Sequence, residues 1–206
     1  PRVNLLVANF RARFDRFPPA LSVLHRWPEM DSTTRRLVCH WHLQLADRLY
    51  REFTGSFLVS RVSAGRPEVT RDVVVRWIDQ VAPQRWSTST RIQFARKLLY
   101  SACEAGLVKG QRDPREWQAP RVPDEALGYI LYLLRAIQFQ GTLIHNPYLA
   151  SVGVNGPELE RRLRTFSDCP LRRQGDLFEF SWRYRDLSEW AEARIFHGEP
   201  QLRETA

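Results

Sequence analysis

Leu37, Trp41, Leu45, Leu49 and Phe53 fall at every fourth position, and this spacing constrains the chain more than any other feature. Large apolar side chains repeating at i, i+4 and i+8 line one stripe of a helix, so the segment reads as an amphipathic helix that buries its stripe against other elements. Asp31-Ser32-Thr33-Thr34 supplies side-chain oxygens for the free N–H groups of its first turn, and Gly55 is the expected stop. Val73, Val74, Trp77, Ile78 and Val81 mark another helix over 69–81, terminated by Pro83. Ile92, Ala95, Leu98, Leu99, Ala102 and Cys103 mark a third, capped from Trp86-Ser87-Thr88-Ser89-Thr90 and closed by Gly106. Asp124 caps a helix through Phe139 that is apolar almost all round, hence central and buried, and that ends at Gly141. Shorter helices are expected after Asn146-Pro147, Asn155-Gly156-Pro157 and Asp186, and over 2–16 with Val3, Leu6, Val7 and Phe10 on one face.

Two stretches depart from the helical period. Phe57 to Gly65 is β-branched and polar and reads as a short strand or a loop. From Leu177 to Tyr184 the alternation sets Phe178, Phe180, Trp182 and Tyr184 on one face, a strand entered through a hairpin turn at Gln174-Gly175-Asp176. The expected fold is therefore mainly α: a multi-helix bundle with helix-turn-helix or winged-helix-like units and a small β hairpin near the C-terminus. The Pro- and Gly-punctuated stretch 109–123 is the expected boundary between an N-terminal helical domain, 1–122, and a C-terminal one, 123–197. Residues 198–206 read as a flexible tail.

The polar faces carry 31 basic residues against 23 acidic ones, a net charge of +8, and only Lys97 and Lys109 among the cations are lysine. Arginine's planar fork grips phosphate bidentately, so a polyanion is the expected partner, ahead of an acidic protein or a membrane surface. The most apolar stretch, Ala126 to Leu134, is roughly half of the ~20 residues a membrane span requires, so no membrane partner is expected. The run Leu5-Leu6-Val7 is short for a signal peptide, and Cys39, Cys103 and Cys169 are odd in number with no CxxC pair. Reduced thiols in a cytoplasm are the expectation.

From Val69 to Arg121 the order is helix, turn, capped helix and basic loop, as in helix-turn-helix and winged-helix readers that place the second helix in the major groove. Ser87, Thr88 and Thr90 stand where a helix N-terminus meets phosphate, Arg91, Arg96 and Lys97 lie off or at the edge of the buried stripe, and Lys109, Arg112 and Arg115 belong to the loop. A second such arrangement is a helix with Arg161, Arg162 and Arg164, followed by Arg172, Arg173 and the strand. Against it stands a solvated helix in which Glu158 and Glu160 pair with those arginines at i, i+3 or i, i+4. Trp41, Phe53, Trp77, Phe94 and Phe166 sit at or beside apolar helical positions and read as core, which leaves Trp86 and Trp117 as candidates for stacking on bases.

Cys39-His40-Trp41-His42 is the best metal candidate, but the two histidines diverge on a helix and no second close ligand pair follows. It reads as a core thiol flanked by surface histidines, with no metal and no cofactor expected. No GxxxxGK[ST], GxGxxG, HExxH or GxSxG occurs and the acids are scattered among arginines, so the chain is not expected to be an enzyme.

Trp86-Ser87-Thr88-Ser89-Thr90-Arg91 running into Leu98-Leu99, then Glu104-Ala105-Gly106-Leu107 with its basic loop, resembles the BREX phage-defence A proteins. The apolar helix from Ala126 to Leu134, Asn146-Pro147, Gly175-Asp176 and Leu187-Ser188-Glu189-Trp190 extend the likeness over most of residues 30–192. The resemblance implies a non-enzymatic, mainly helical protein with a positive surface that binds double-stranded DNA, encoded beside the methyltransferase and ATPase components of a bacterial defence system. It carries no shared set of base-reading residues. The expected function is thus a double-stranded DNA-binding accessory protein that holds duplex mostly through phosphate. The alternatives are a protein-interaction scaffold within a defence or transcription complex, with arginines and loop tryptophans as anchors, and an RNA-binding helical protein.

Overall fold

The computed structural model describes residues 8, 11, 13–27, 29–139, 141–175 and 177–197. α1 (Pro18–His25) leads to α2 (Ser32–Ala46), where Asp31 accepts from the N–H groups of Thr33 and Thr34 at 2.8 and 3.1 Å, as its cap chemistry predicts. The stripe expected to run unbroken to Phe53 is divided at Asp47. That residue leaves helical geometry (φ −121°, ψ 108°) and accepts from Tyr50 N–H, so it ends α2 and caps α3 (Arg48–Glu52). Gly55 is not a stop. α3 continues through a wide π turn (Phe53–Phe57) into α4 (Leu58–Ser63), and 57–63 is helical rather than strand or loop. The glycine serves a close approach instead, since a Cβ there would lie 2.5 Å from Pro147 Cβ and 2.6 Å from the Pro147 carbonyl oxygen.

Next come β1 (Glu68–Val69), α5 (Arg71–Val81), α6 (Thr88–Glu104), β2 (Val108–Lys109) and β3 (Arg115–Trp117). α7 (Asp124–Arg135) is buried from Ala126 through Leu134 but stops at Arg135, not Phe139. Asp124 is its first residue, with Pro123 in the cap position. α8 (Pro147–Ala150), α9 (Pro157–Leu163), the antiparallel hairpin β4 (Leu171–Gln174) with β5 (Leu177–Phe180), and α10 (Leu187–Ala191) complete the fold. Phe178 and Phe180 turn inward while Leu177 and Glu179 face solvent, in line with the alternation. The ladder ends at Phe180 rather than Tyr184 because Arg183 N–H donates to the Asp168 carbonyl and Tyr184 N–H to Tyr132 Oη, drawing Trp182 and Tyr184 onto the Tyr132 ring.

The molecule is mainly helical, with small antiparallel sheets. α1 packs on α10 and α2 on α7, so residues on both sides of the 122/123 boundary contribute to one hydrophobic core. Trp41, Phe53, Trp77 and Phe166 are buried in it, and Phe94 packs against its edge.

α2 reverses the reading of its cysteine and histidines. Cys39 is exposed, whereas His40 and His42 are buried. Elements pack against α2 on several sides, which buries most of its circumference, and each imidazole finds partners there. His40 joins Tyr50 Oη at 2.9 Å and Ser151 Oγ at 2.8 Å; His42 joins Tyr129 Oη at 2.6 Å and the Arg13 carbonyl at 3.0 Å. Burial disfavours the imidazolium and pulls His40 down to about 3 and His42 to about 4. Tyr50 also donates to the Ser101 carbonyl of α6 at 3.4 Å, so one buried chain of polar contacts links α6, α3, α2 and the segment after α8.

Among the described residues no group of three or more His, Cys, Asp or Glu converges as a metal site, and no helix is long and apolar enough to cross a membrane. The expectations for Val3, Leu6, Val7 and Phe10, for Asp176 in the hairpin turn and for the tail from Gly198 fall outside the described residues.

Candidate nucleic-acid interface

β1, α5, α6, β2 and β3 form a local unit. Thr70 caps α5 by accepting from Val73 N–H at 3.3 Å, and Ser87 caps α6 by accepting from Thr90 N–H at 3.3 Å. α6 ends where Gly106 takes φ +76°, letting Gly106 N–H reach the Cys103 carbonyl and Leu107 N–H the Ala102 carbonyl. The chain then enters β2, loops through 110–114 and returns as β3. β3 is the central strand, in the order β1-β3-β2, with Val69 opposite Arg115 and Lys109 opposite Glu116. The sheet thus ties the segment before α5 to the loop after α6.

The loop is itself anchored. Asp113 accepts from the N–H of Arg71, the first residue of α5, at 2.8 Å, and lies 3.8 Å from Arg115. Arg115 also donates to the Gln111 carbonyl at 3.4 Å and is mostly covered, so it braces the loop from inside. Arg112 and Lys109 remain exposed, with no hydrogen-bond or ion-pair partner among the described residues.

On α6 the exposed positions are Thr88, Ser89, Gln93, Arg96, Lys97, Tyr100 and Glu104. Arg96 and Lys97 project from this outer face, again without partners among the described residues. Arg91 does not. Its guanidinium pairs with Asp79 of α5 and donates to Thr88 Oγ1 at 3.1 Å, its side chain is 20% exposed, and it clamps the two helices together. Ser87 and Thr88 are exposed and Thr90 is half-buried at the helix start, where Ser87 Oγ contacts both Ser89 Oγ and Thr90 Oγ1 at 2.9 Å. Gln93 and Tyr100 lie within one turn of Arg96 and Lys97 on the same exposed face, and a pattern of charges alone does not single them out.

The second arginine group is differently placed. Arg161 is held by Glu158 through contacts of 2.6 and 3.0 Å, Arg162 joins the Val122 carbonyl and Asp124 across to the start of α7, and Arg173 reaches Glu160 at 3.4 Å and the Gly175 carbonyl at 2.8 Å. Arg164 and Arg172 are exposed. Arg162 and Arg173 therefore tie α9 to α7 and to the hairpin, while Arg161 pairs within α9. Trp86 packs edge-on against Phe94 at 5.0 Å beneath Arg85, and Trp117 lies in β3 beside Gly153, so both rings are committed to the protein.

Comparison with protein-family models, with curated proteins and with solved structures returns no match for this chain.

Proposed function

We propose that this chain is a non-enzymatic, double-stranded DNA-binding accessory protein of a BREX-type anti-phage defence system, acting in the cytoplasm. In this reading β1 to β3 form a winged helix-turn-helix, α6 enters the major groove and the 110–114 loop is the wing. One observation carries it: a helix pair is closed by a sheet of order β1-β3-β2, and Arg96, Lys97, Lys109 and Arg112 stand exposed on the helix and loop that such a unit turns to DNA. Charge supports a polyanionic partner and the resemblance to the BREX A proteins supports the setting. Affinity arises chiefly where these cations replace counterions along the phosphates.

Fluorescence anisotropy tests this with labelled duplex, single-stranded DNA and RNA of equal length over a salt series. Duplex is expected to bind tightest, with log affinity falling linearly with log salt, and Arg96→Ala/Lys97→Ala is expected to flatten that slope by about two units, near one per lost phosphate contact. Arg91→Ala is expected to leave the slope unchanged while lowering stability to urea by about 1 kcal/mol, because its partly covered ion pair holds α5 to α6. Preference for single strands would favour RNA binding, and no binding to any of the three at moderate salt would leave the protein-scaffold reading.

A further inference from the structure

The exposed face of α6 has a centre line and two flanks. At about 100° per residue, Gln93 and Tyr100 fall within about 20° of one another, while Arg96 and Lys97 lie roughly 50° to either side of them. Ser89 sits near the same centre line one turn before Gln93, and Glu104 ends it one turn after Tyr100. Tyr100 is 64% exposed, an unusual position for an aromatic ring on a helix whose opposite face, Ala95, Leu98, Leu99 and Ala102, is buried. Gln93 is exposed and has no hydrogen-bond partner among the described residues, so its amide is unspent.

A helix lying in a major groove points its centre line at the groove floor and its flanks at the two phosphate walls. We infer that Gln93 and Tyr100 read base edges while Arg96 and Lys97 grip opposite walls, so that this protein binds a preferred DNA sequence and not duplex in general. The inference rests on the DNA-binding reading above and goes beyond it, because phosphate contacts alone carry no sequence information. Gln93 presents one acceptor and two donors at the end of a flexible stem, the set that pairs bidentately with adenine N6 and N7. Tyr100, two turns on, is displaced by about 10 Å along the axis, or about three base steps, and offers a ring for a thymine methyl and a hydroxyl for a base edge. The negative charge of Glu104 marks the end of the reading segment, since a carboxylate there repels the phosphate walls.

Selection from a randomised duplex pool, followed by affinity measurement on the selected site and on unselected duplex, tests the inference. The wild-type chain is expected to enrich a short site containing an A·T pair. Gln93→Ala is expected to abolish preference at that one pair, weakening binding to the selected site by about 10- to 100-fold while leaving affinity for unselected duplex and its salt slope unchanged. Arg96→Ala is expected to weaken selected and unselected duplex alike. If wild type binds duplex but enriches nothing, or if enrichment survives both Gln93→Ala and Tyr100→Ala, base reading by this face is overturned and DNA binding stands. If wild type binds no duplex, both fall. Helical circular dichroism and urea midpoints of the variants, expected to match wild type at these exposed positions, separate lost contacts from lost folding.

Discussion

Moving from pH 7.5 to pH 5 is expected to remove about 4 kcal/mol of folding free energy, on the order of 2 kcal/mol from each of two histidines. His40 and His42 are held near 3 and 4 in the folded chain because burial penalises their charged forms, against an ordinary value near 6.5 once unfolded. Between those values the unfolded chain takes up protons that the folded chain refuses. Stability from this source is therefore intact above about pH 6.5 and falls as pH drops towards 4. Carboxylates held low, such as Asp186 by the Glu189 N–H and Glu158 by Arg161, begin to add their losses near about pH 5 and do so mainly below it. Urea midpoints across this range read the effect directly. Equal midpoints at pH 7.5 and pH 5 would show that both imidazoles take up their protons in the folded state, and a loss of about 2 kcal/mol that only one does.

Trp190→Ala is expected to cost about 4 kcal/mol, measured as a fall in unfolding free energy in urea at neutral pH. The indole is 1% exposed, stacks on Tyr132 with centroids 5.9 Å apart, meets Trp27 edge-on at 6.3 Å and donates from Nε1 to Asp168 Oδ2 at 3.0 Å. Truncation leaves a cavity and removes a hydrogen bond from the buried Asp168 carboxylate, which retains Arg194 at 3.1 Å. The opposite wall sharpens the test. A Cβ on Gly128 would come within 2.6 Å of the same ring, so Gly128→Ala alone is expected to destabilise by about 2 kcal/mol through overpacking. In the double variant the added methyl enters the space the indole vacates, and the combined cost should be smaller than the two single costs together. Strict additivity would mean that the two positions do not share a wall.

What the sequence makes legible is the set of signals that act over a few residues. Asp31, Ser87 and Asp186 cap the helices their types predict, and Gly106 closes α6 with its left-handed turn. Distant partners are not legible. Gly55 looks like a terminator until Pro147 is seen against it, and His40 and His42 look like surface residues until Tyr50, Ser151 and Tyr129 supply their hydrogen bonds. The same divide runs through the candidate interface. Counting from the apolar stripe places Arg96 and Lys97 on the outer face, but nothing local distinguishes Arg91 from them, because its engagement depends on Asp79 one helix away. Gln93 and Tyr100 carry no charge, so nothing in their residue type marks them out; only the bare outer face around them does.

Asp113 gives the 110–114 loop a property its length alone would not predict. An exposed loop ordinarily samples many backbone arrangements, and a partner that needs one of them must freeze out the rest. Here the Arg71 N–H and the strands on either side already select an arrangement when the chain folds. The entropy lost in ordering that backbone belongs to folding, so in the proposed DNA-binding role Lys109 and Arg112 would act from a prepared platform, with only their own side-chain freedom left to lose.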